Sequence, residues 1–334
     1  MILYEKLRLV IDLIDNILDF IKYLKKQKKV FIQTHNFPDH DAIATAYCLQ
    51  RFLVHFNINA SLIYEGDISR DSLIQMIRDF KIDIRHNSEY SISNDDKIIL
   101  VDGCKGNKNV ANLKGTIAGV IDHHNSDAPD DVEFNDIRHE YGACVTIIYS
   151  YFKEFKINIT PDIATILMIA ICIDTASLTR KVSDADLEAY SELHHIADMQ
   201  YVNKMRRNYM QIKDLDYFKY GIQNIKINGE FAFCYFPEGC NTNLLGIMGD
   251  FFLAIGEVTF VALCAQNEGK IYFSLRNENE EWNAAEIIHE ILEGTGFGGG
   301  HNEMAGGVIP KSQNFDPEII YLKFLKALEL KTDI

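Results

Sequence analysis

Three short apolar runs each end on a side chain able to bind a metal or a phosphate. KVFIQT is followed by His35, KIILV by Asp102, and IAGVI by Asp122, His123 and His124. Runs of this length bounded by polar turns read as buried strands. Stretches of helical period separate them, DAIATAYCLQRFLVHF and RDSLIQMIRDF among them. Alternation of short apolar runs with helical patterns predicts βαβ units and a mostly parallel sheet with helices on both faces. An amphipathic helix over residues 3–26 leads in. YGACVTIIYSYFKEF and PDIATILMIAICIDTASLT read as helices packed on the sheet, and residues 184–220 as one or two more.

After INGEFAFCYFP the texture changes. The strand-like runs EVTFVALCAQ and KIYFSLRN flank the turn NEGK, then come a helix, WNAAEIIHEILE, and the glycine-rich GTGFGGGHNEMAGG. The fold class expected is therefore α/β: a parallel-sheet domain over residues 1–200, a helical linker over 201–221, and a smaller α/β domain over 222–334.

No apolar stretch among the 334 residues approaches the roughly 20 needed for a membrane span, and no secretory signal is visible, so a cytoplasmic protein without a membrane partner is expected. The seven cysteines contain no C-x-x-C pair and sit mostly in apolar segments, as structural free thiols do. The formal net charge is -15, and the main basic run, KYLKKQKK, lies at an expected helix end where the dipole favours cations. A chain of this balance is a poor candidate for gripping long duplex nucleic acid, whose affinity rests on phosphate neutralisation. Any phosphate-bearing substrate should be short.

Ligands in open α/β sheets collect beyond the carboxyl ends of the strands. There this chain places His35, Asp39 and Asp41, then Asp102, then Asp122, His123 and His124, while the helical ILMIAICI delivers Asp174. An Asp at a strand end is commonly a turn former or a helix cap. Several carboxylates gathered at one buried edge are different, because they repel and take up protons unless a cation neutralises them. Oxygen-rich sets with some imidazole suit Mn²⁺ or Mg²⁺. Two such ions can clamp a phosphate and generate hydroxide between them. His123 and His124 are neighbours and, unless the chain turns there, face opposite ways on an extended backbone, which predicts separate tasks.

The series HNFPDHDA, LVDG, VIDHHNSD and ICIDT, in that order over residues 30–180, resembles the four N-terminal motifs of the DHH phosphoesterase superfamily. That superfamily includes RecJ-like exonucleases, nanoRNase/pAp phosphatases, cyclic-dinucleotide phosphodiesterases and manganese pyrophosphatases. The resemblance implies that His35, Asp39 and Asp102 hold one metal ion. It implies that Asp41, Asp102, His123 and Asp174 hold the other, with Asp102 bridging. His124 is then the residue that contacts or protonates the substrate phosphate, and Asp122 orients the imidazoles. Pro38 fits a fixed turn between ligands, and His40 is expected outside the metal shell. Ile173 and Leu178 depart from a family pattern that has a small residue before the final Asp-Thr and an aromatic shortly after it.

GTGFGGG formally contains G-x-G-x-x-G, but it follows a helix, where a dinucleotide fingerprint follows a strand. Consecutive glycines can form a nest of backbone N–H groups for an anion. FGGGHNEMAGG also resembles the GGGH signature of the DHH-associated domain of nanoRNases and RecJ-like enzymes, over about residues 225–330. The resemblance implies that Gly299, Gly300 and His301 hold a nucleotide phosphate, with Arg276 as a bidentate second contact. His194 and His195 are expected in solvent, and His289 on a helix face.

The activity implied is hydrolysis of short oligonucleotides (nanoRNA or linear dinucleotides) to mononucleotides, with pAp 3′-phosphatase as a second activity. The implied cofactors are two divalent metal ions, Mn²⁺ first and Mg²⁺ also acceptable, and a homodimer stays open. Two alternatives remain: an exopolyphosphatase-like enzyme for a non-nucleotide substrate, and a non-catalytic nucleotide-binding regulator. A regulator would be marked by a missing ligand at Asp102 or His123, and both are present.

Overall fold

The computed structural model describes residues 2–68, 70–207, 210–313 and 315–330. The chain divides into two compact units, Met1–Tyr209 and Met210–Ile334. Of the stretches expected as first domain, linker and second domain, residues 1 and 69, 208 and 209, and 314 and 331–334 respectively lie outside the described residues.

In the first unit the order is α1 (Ile2–Leu24), β1 (Val30–Gln33), α2 (His40–Val54), β2 (Ala60–Tyr64), α3 (Asp71–Asp79), β3 (Ile84–His86), β4 (Lys97–Val101), β5 (Thr116–Asp122) and β6 (Phe134–Ile137). The helices α4 (Cys144–Glu154), α5 (Pro161–Asp174), α6 (Asp184–Leu193) and α7 (Met199–Arg207) follow. All six strands are parallel and lie in the order β3-β2-β1-β4-β5-β6. The apolar runs expected as strands are the central ones, and β1 is buried along its whole length, as a sheet covered on both sides requires. The edge strands β3 and β6 carry no such run (IRH and FNDI), which is why periodicity did not reveal them.

Helical cover concentrates on one face, where α2, α4 and α5 build the main core. Phe52 of α2 is its hub, with ring centroids 5.2–5.8 Å from Phe56, Tyr151, Phe152 and Phe155. The opposite face, Phe31, Ile63, Ile98, Leu100 and Val120, is covered by irregular segments that contribute Tyr90, Ile92, Val110, Leu113 and Val132. Helix α5 is apolar all round and buried, the mark of a helix surrounded by protein. This strand order reverses direction between β1 and β4, and the crevice beyond their carboxyl ends is the topological switch point of such sheets.

The second unit holds α8 (Leu215–Asn224), β7 (Lys226–Asn228), β8 (Phe231–Phe236), α9 (Thr242–Leu253), β9 (Phe260–Asn267), β10 (Lys270–Asn277), α10 (Ala284–Leu292), β11 (Phe297–Gly300), β12 (Met304–Ile309) and α11 (Pro317–Ala327). Its mixed sheet runs β11-β12-β10-β9-β8-β7, with only β8 and β9 parallel. Helix α9 packs on one face, and α10 and α11 on the other. Helix α9 was not anticipated, because Gly246 and Gly249 interrupt its pattern. Those glycines lie against Arg276: a Cβ at Gly246 would stand 3.0 Å from Arg276 Nη2, and one at Gly249 3.1 Å from Cγ. The glycine-rich stretch, whose composition also allowed an N–H nest, is the extended edge strand β11, paired antiparallel with β12.

Candidate metal centre

Beyond β1 the chain turns through His35–Asp39 into α2. Asp39 is the N-cap of that helix, its Oδ1 accepting from the backbone N–H groups of Asp41 and Ala42 at 3.0 and 3.1 Å. A cap is a routine task for Asp. Asp39 also stands 4.0 Å from His35 Nε2, so the same carboxylate faces the crevice. Asp41, in the first turn of α2, is 2 % exposed. Its carboxylate accepts from the first amides of α4, Cys144 N at 2.6 Å and Val145 N at 3.0 Å, where the helix dipole favours a negative charge.

Asp102 follows β4 in a left-handed conformation (φ 55°), 2 % exposed. Its Oδ2 lies 3.5 Å from His35 Nε2 and its Oδ1 3.4 Å from His123 Nε2. One carboxylate thus faces two imidazoles with different oxygens. His123 Nε2 is also 3.6 Å from Asp174 and 3.9 Å from Asp41. Asp174 closes α5, the helix end where a negative charge is least welcome. The residues after it, Ala176, Ser177 and Leu178, form a left-handed turn, bonded around Thr175.

Both inner imidazoles are held by backbone carbonyls. His35 Nδ1 donates to Asn36 O at 2.8 Å and His123 Nδ1 donates to Tyr141 O at 3.0 Å. These bonds fix the tautomers and turn both Nε2 atoms toward the carboxylates, as metal-facing histidines require. Asp122, expected to orient both rings, reaches only one. Its Oδ1 accepts from the backbone N–H groups of His123 and His124 and from His124 Nδ1 at 2.9 Å. The ring of His123 bonds the carbonyl of Tyr141 instead. The two imidazoles, expected on opposite faces, stand 4.5 Å apart and both approach Asp102 Oδ1, because β5 ends at Asp122 and the strand alternation does not run through them. His124 is half exposed, 3.7 Å from Asp102.

The electrostatics are those of a site short of positive charge. Burial, followed by Asp102 and Asp174, raises the Asp41 carboxyl well above the usual range. Burial and Asp39 push Asp174 up to about 6. Burial works against ionisation of Asp102 too, but the neighbouring imidazoles of His123 and His35 hold it well below the carboxylate range. The histidines respond in kind. Burial lowers His35 and His123, yet Asp102 carries them up to about 9 and about 10. Asp102 Oδ1 is nonetheless buried without a hydrogen-bond partner. Groups that could hold a cation are His35, Asp39 and Asp102; Asp41, His123 and Asp174; and Asp102, His123 and His124. The orphaned oxygen and the hard oxygen-and-imidazole donor set fit a divalent ion.

His40, between two of these residues, faces away: its Nε2 bonds Ser72 Oγ at 3.0 Å, and burial, with Arg70, lowers it to about 4. Behind His123 lies a network that spacing did not reveal. Arg138 forks onto Asp136 with two bonds of 2.8 Å, donates to Tyr141 Oη at 2.9 Å, and stacks on the Tyr141 ring.

In the second unit, Arg276 lies on β10 and His301 follows β11, at the same end of the sheet with β12 between. Arg276 is engaged by Asp250 and by Ser274 Oγ. Gly300 (φ 151°) has no room for a Cβ, which would stand 2.3 Å from Met304 O. Gly299 is open, with no atom within 4 Å of an added Cβ, and His301 is exposed. His194, His195 and His289 are exposed.

Comparison with known proteins comes to the same two units. Residues 29–171 match the model of the DHH family, N-terminal domain, and residues 228–323 that of the DHHA1 domain. An uncharacterised protein of Methanocaldococcus jannaschii is 26% identical over 287 residues, covering 86% of this chain and 59% of that protein. A Lactobacillus acidophilus protein named probable manganese-dependent inorganic pyrophosphatase is 27% identical over 52% of this chain and 57% of its own length. The chain therefore spans less than two thirds of the length of these relatives. Among solved structures, an exopolyphosphatase-related protein from Bacteroides fragilis superposes with a TM-score of 0.78 at 20% identity, covering 94% of this chain and 96% of that one. RecJ from Thermus thermophilus with Mn²⁺ gives 0.55 at 12% identity, over 95% of this chain and 55% of that one.

Proposed function

From a chain that belongs to the DHH superfamily, with a DHH N-terminal domain followed by a DHHA1 domain, we infer a metal-dependent phosphoesterase that cleaves short oligonucleotides to mononucleotides. His35, Asp39 and Asp102 would hold one divalent ion, and Asp41, Asp102, His123 and Asp174 a second. The observation that carries this reading is the division of Asp102, whose two oxygens face different imidazoles while one remains buried and unbonded. Divalent ions in that position supply Lewis acidity to a phosphate ester. Manganese is favoured by the named manganese-dependent pyrophosphatases among the relatives.

The residues around the ions have separable tasks. His124 is raised above the ordinary imidazole value, chiefly by its hydrogen bond to Asp122. With Nδ1 occupied by Asp122, its Nε2–H is the group able to give a proton to the departing oxygen. Arg276, Gly299, Gly300 and His301 would hold a second phosphate of the substrate. The open surface at Gly299 and the exposed His301 support that role.

A second reading, hydrolysis of inorganic phosphoanhydrides, is supported by the pyrophosphatases among the relatives. One assay separates the two: metal-stripped protein is incubated with Mn²⁺ and either 5′-pApA or tripolyphosphate, with His123→Ala as control. AMP released by the wild type and not by the variant supports the oligonucleotide reading. Phosphate from tripolyphosphate without AMP replaces it with the second, and no product from either sinks both.

A further inference from the structure

Phe37 stands between His35 and Asp39, two residues from each, and is 65 % exposed. Its backbone lies in the left-handed region at φ 55°, where a bulky side chain is strained, and it is the one aromatic residue there among the described residues. The surrounding chain enforces the conformation. Asn36 N donates to Asn109 O at 2.6 Å, Phe37 N donates to Glu65 O at 2.8 Å, and Asn36 Oδ1 accepts from Ala111 N at 3.0 Å. Pro38, with its locked φ, follows.

One side of the ring is seated on Gly66. A Cβ there would come within 2.7–2.9 Å of Phe37 Cδ1, Cε1 and Cγ, so only glycine admits the ring at this height. The rest of the ring faces solvent. A single exposed apolar side chain is ordinary. A strained one, backed by glycine and inserted between two residues of a phosphate-cleaving cluster, stabilises little in the fold. Its chemistry suits an external planar group.

We propose that Phe37 is a stacking platform for the nucleobase adjoining the reacting phosphate, so that the site selects base-bearing phosphates over inorganic ones. The proposal rests on the reading above in that a phosphate must occupy the cluster. It adds what that reading lacks, a feature near the reacting centre that a polyphosphate chain cannot use. Stacking on a face is tolerant of base identity, which predicts weak discrimination among the four nucleotides.

The test is a binding titration on the full chain loaded with Mn²⁺, using AMP and ribose 5-phosphate, for wild type, Phe37→Leu and Phe37→Trp. Leucine keeps apolar bulk over Gly66 and removes the aromatic face, while tryptophan restores it. AMP should bind wild type tighter than ribose 5-phosphate by roughly five- to a hundredfold, the worth of one base–aromatic stack. The ratio should collapse toward one in the leucine variant and return in the tryptophan variant. An equal ratio in wild type and Phe37→Leu overturns the platform, whatever the enzyme hydrolyses. Failure of both ligands to bind a chain shown to carry Mn²⁺ overturns it as well. Binding that follows the proposal without cleavage of 5′-pApA sinks only the proposed reaction.

Discussion

His35 and His123 hold protons where a metal site would hold cations. Their values, lifted to about 9 and about 10 mainly by Asp102 against the opposing effect of burial, keep both imidazoles charged at neutral pH in the metal-free protein. A divalent ion must displace those protons. Metal uptake at pH 7.5 is therefore expected to release about two protons per chain, and release should fade as pH rises past 10. Titration of Mn²⁺ into weakly buffered protein with an indicator dye measures it, and uptake without acidification would contradict the arrangement. His124 gives a second expectation. Its raised value depends first on Asp122, and the proton it donates is lost as pH climbs through that value. Asp122→Asn should move the alkaline limb of kcat toward lower pH, with the metal content unchanged. A limb that stays in place would remove the proton-donor role of His124.

At the scale of elements, the site is a meeting of helix ends and strand ends. Asp39 caps α2, Asp41 is received by the first amides of α4, and Asp174 terminates α5. The aromatic hub around Phe52 joins α2 to α4, so the core that sets their packing also sets the approach of Asp41 to the first amides of α4. What was legible in the sequence was local: apolar runs, and the ligands that immediately follow them. What was not legible is joined across long separations. Asp41 and Cys144 are 103 positions apart, and no spacing rule links His123 to the carbonyl of Tyr141 or Tyr141 to Arg138. The glycines left two readings open for a related reason, since backbone freedom is compatible with a nest and with an edge strand, and pairing with β12 decides. Arg138→Lys tests the hidden network, because an ammonium cannot reproduce the fork onto Asp136. Mn²⁺ affinity should fall roughly 10–100-fold, as when a partner behind a metal ligand is lost. Equilibrium dialysis reads this, and an unchanged affinity would show that Arg138 only stabilises the fold.

For the molecule as a whole, buried like charges imply a cost that bound metal removes. Mn²⁺ at a hundred times its Kd adds about 2.7 kcal/mol to whatever binds it, which for a unit of some 200 residues is an increase in Tm of roughly 5–10 °C. Calorimetry with and without chelator should show the shift in the wild type and a smaller one in His123→Ala, which keeps the His35, Asp39 and Asp102 set; a shift of equal size in both would place the stabilising ion away from His123. The architecture of alternating elements was readable before any coordinates, because a parallel sheet demands continuous apolar strands, whereas α9 and the edge strands follow from neighbours that only the folded chain supplies. Another property of the interior has a practical use. Cys48, Cys104, Cys144 and Cys172 in the first unit, and Cys234, Cys240 and Cys264 in the second, are free and buried. Thiol reagents can therefore reach them only when the chain opens. Their labelling rate is a clock on breathing motions, written into both halves of the protein without any engineered reporter.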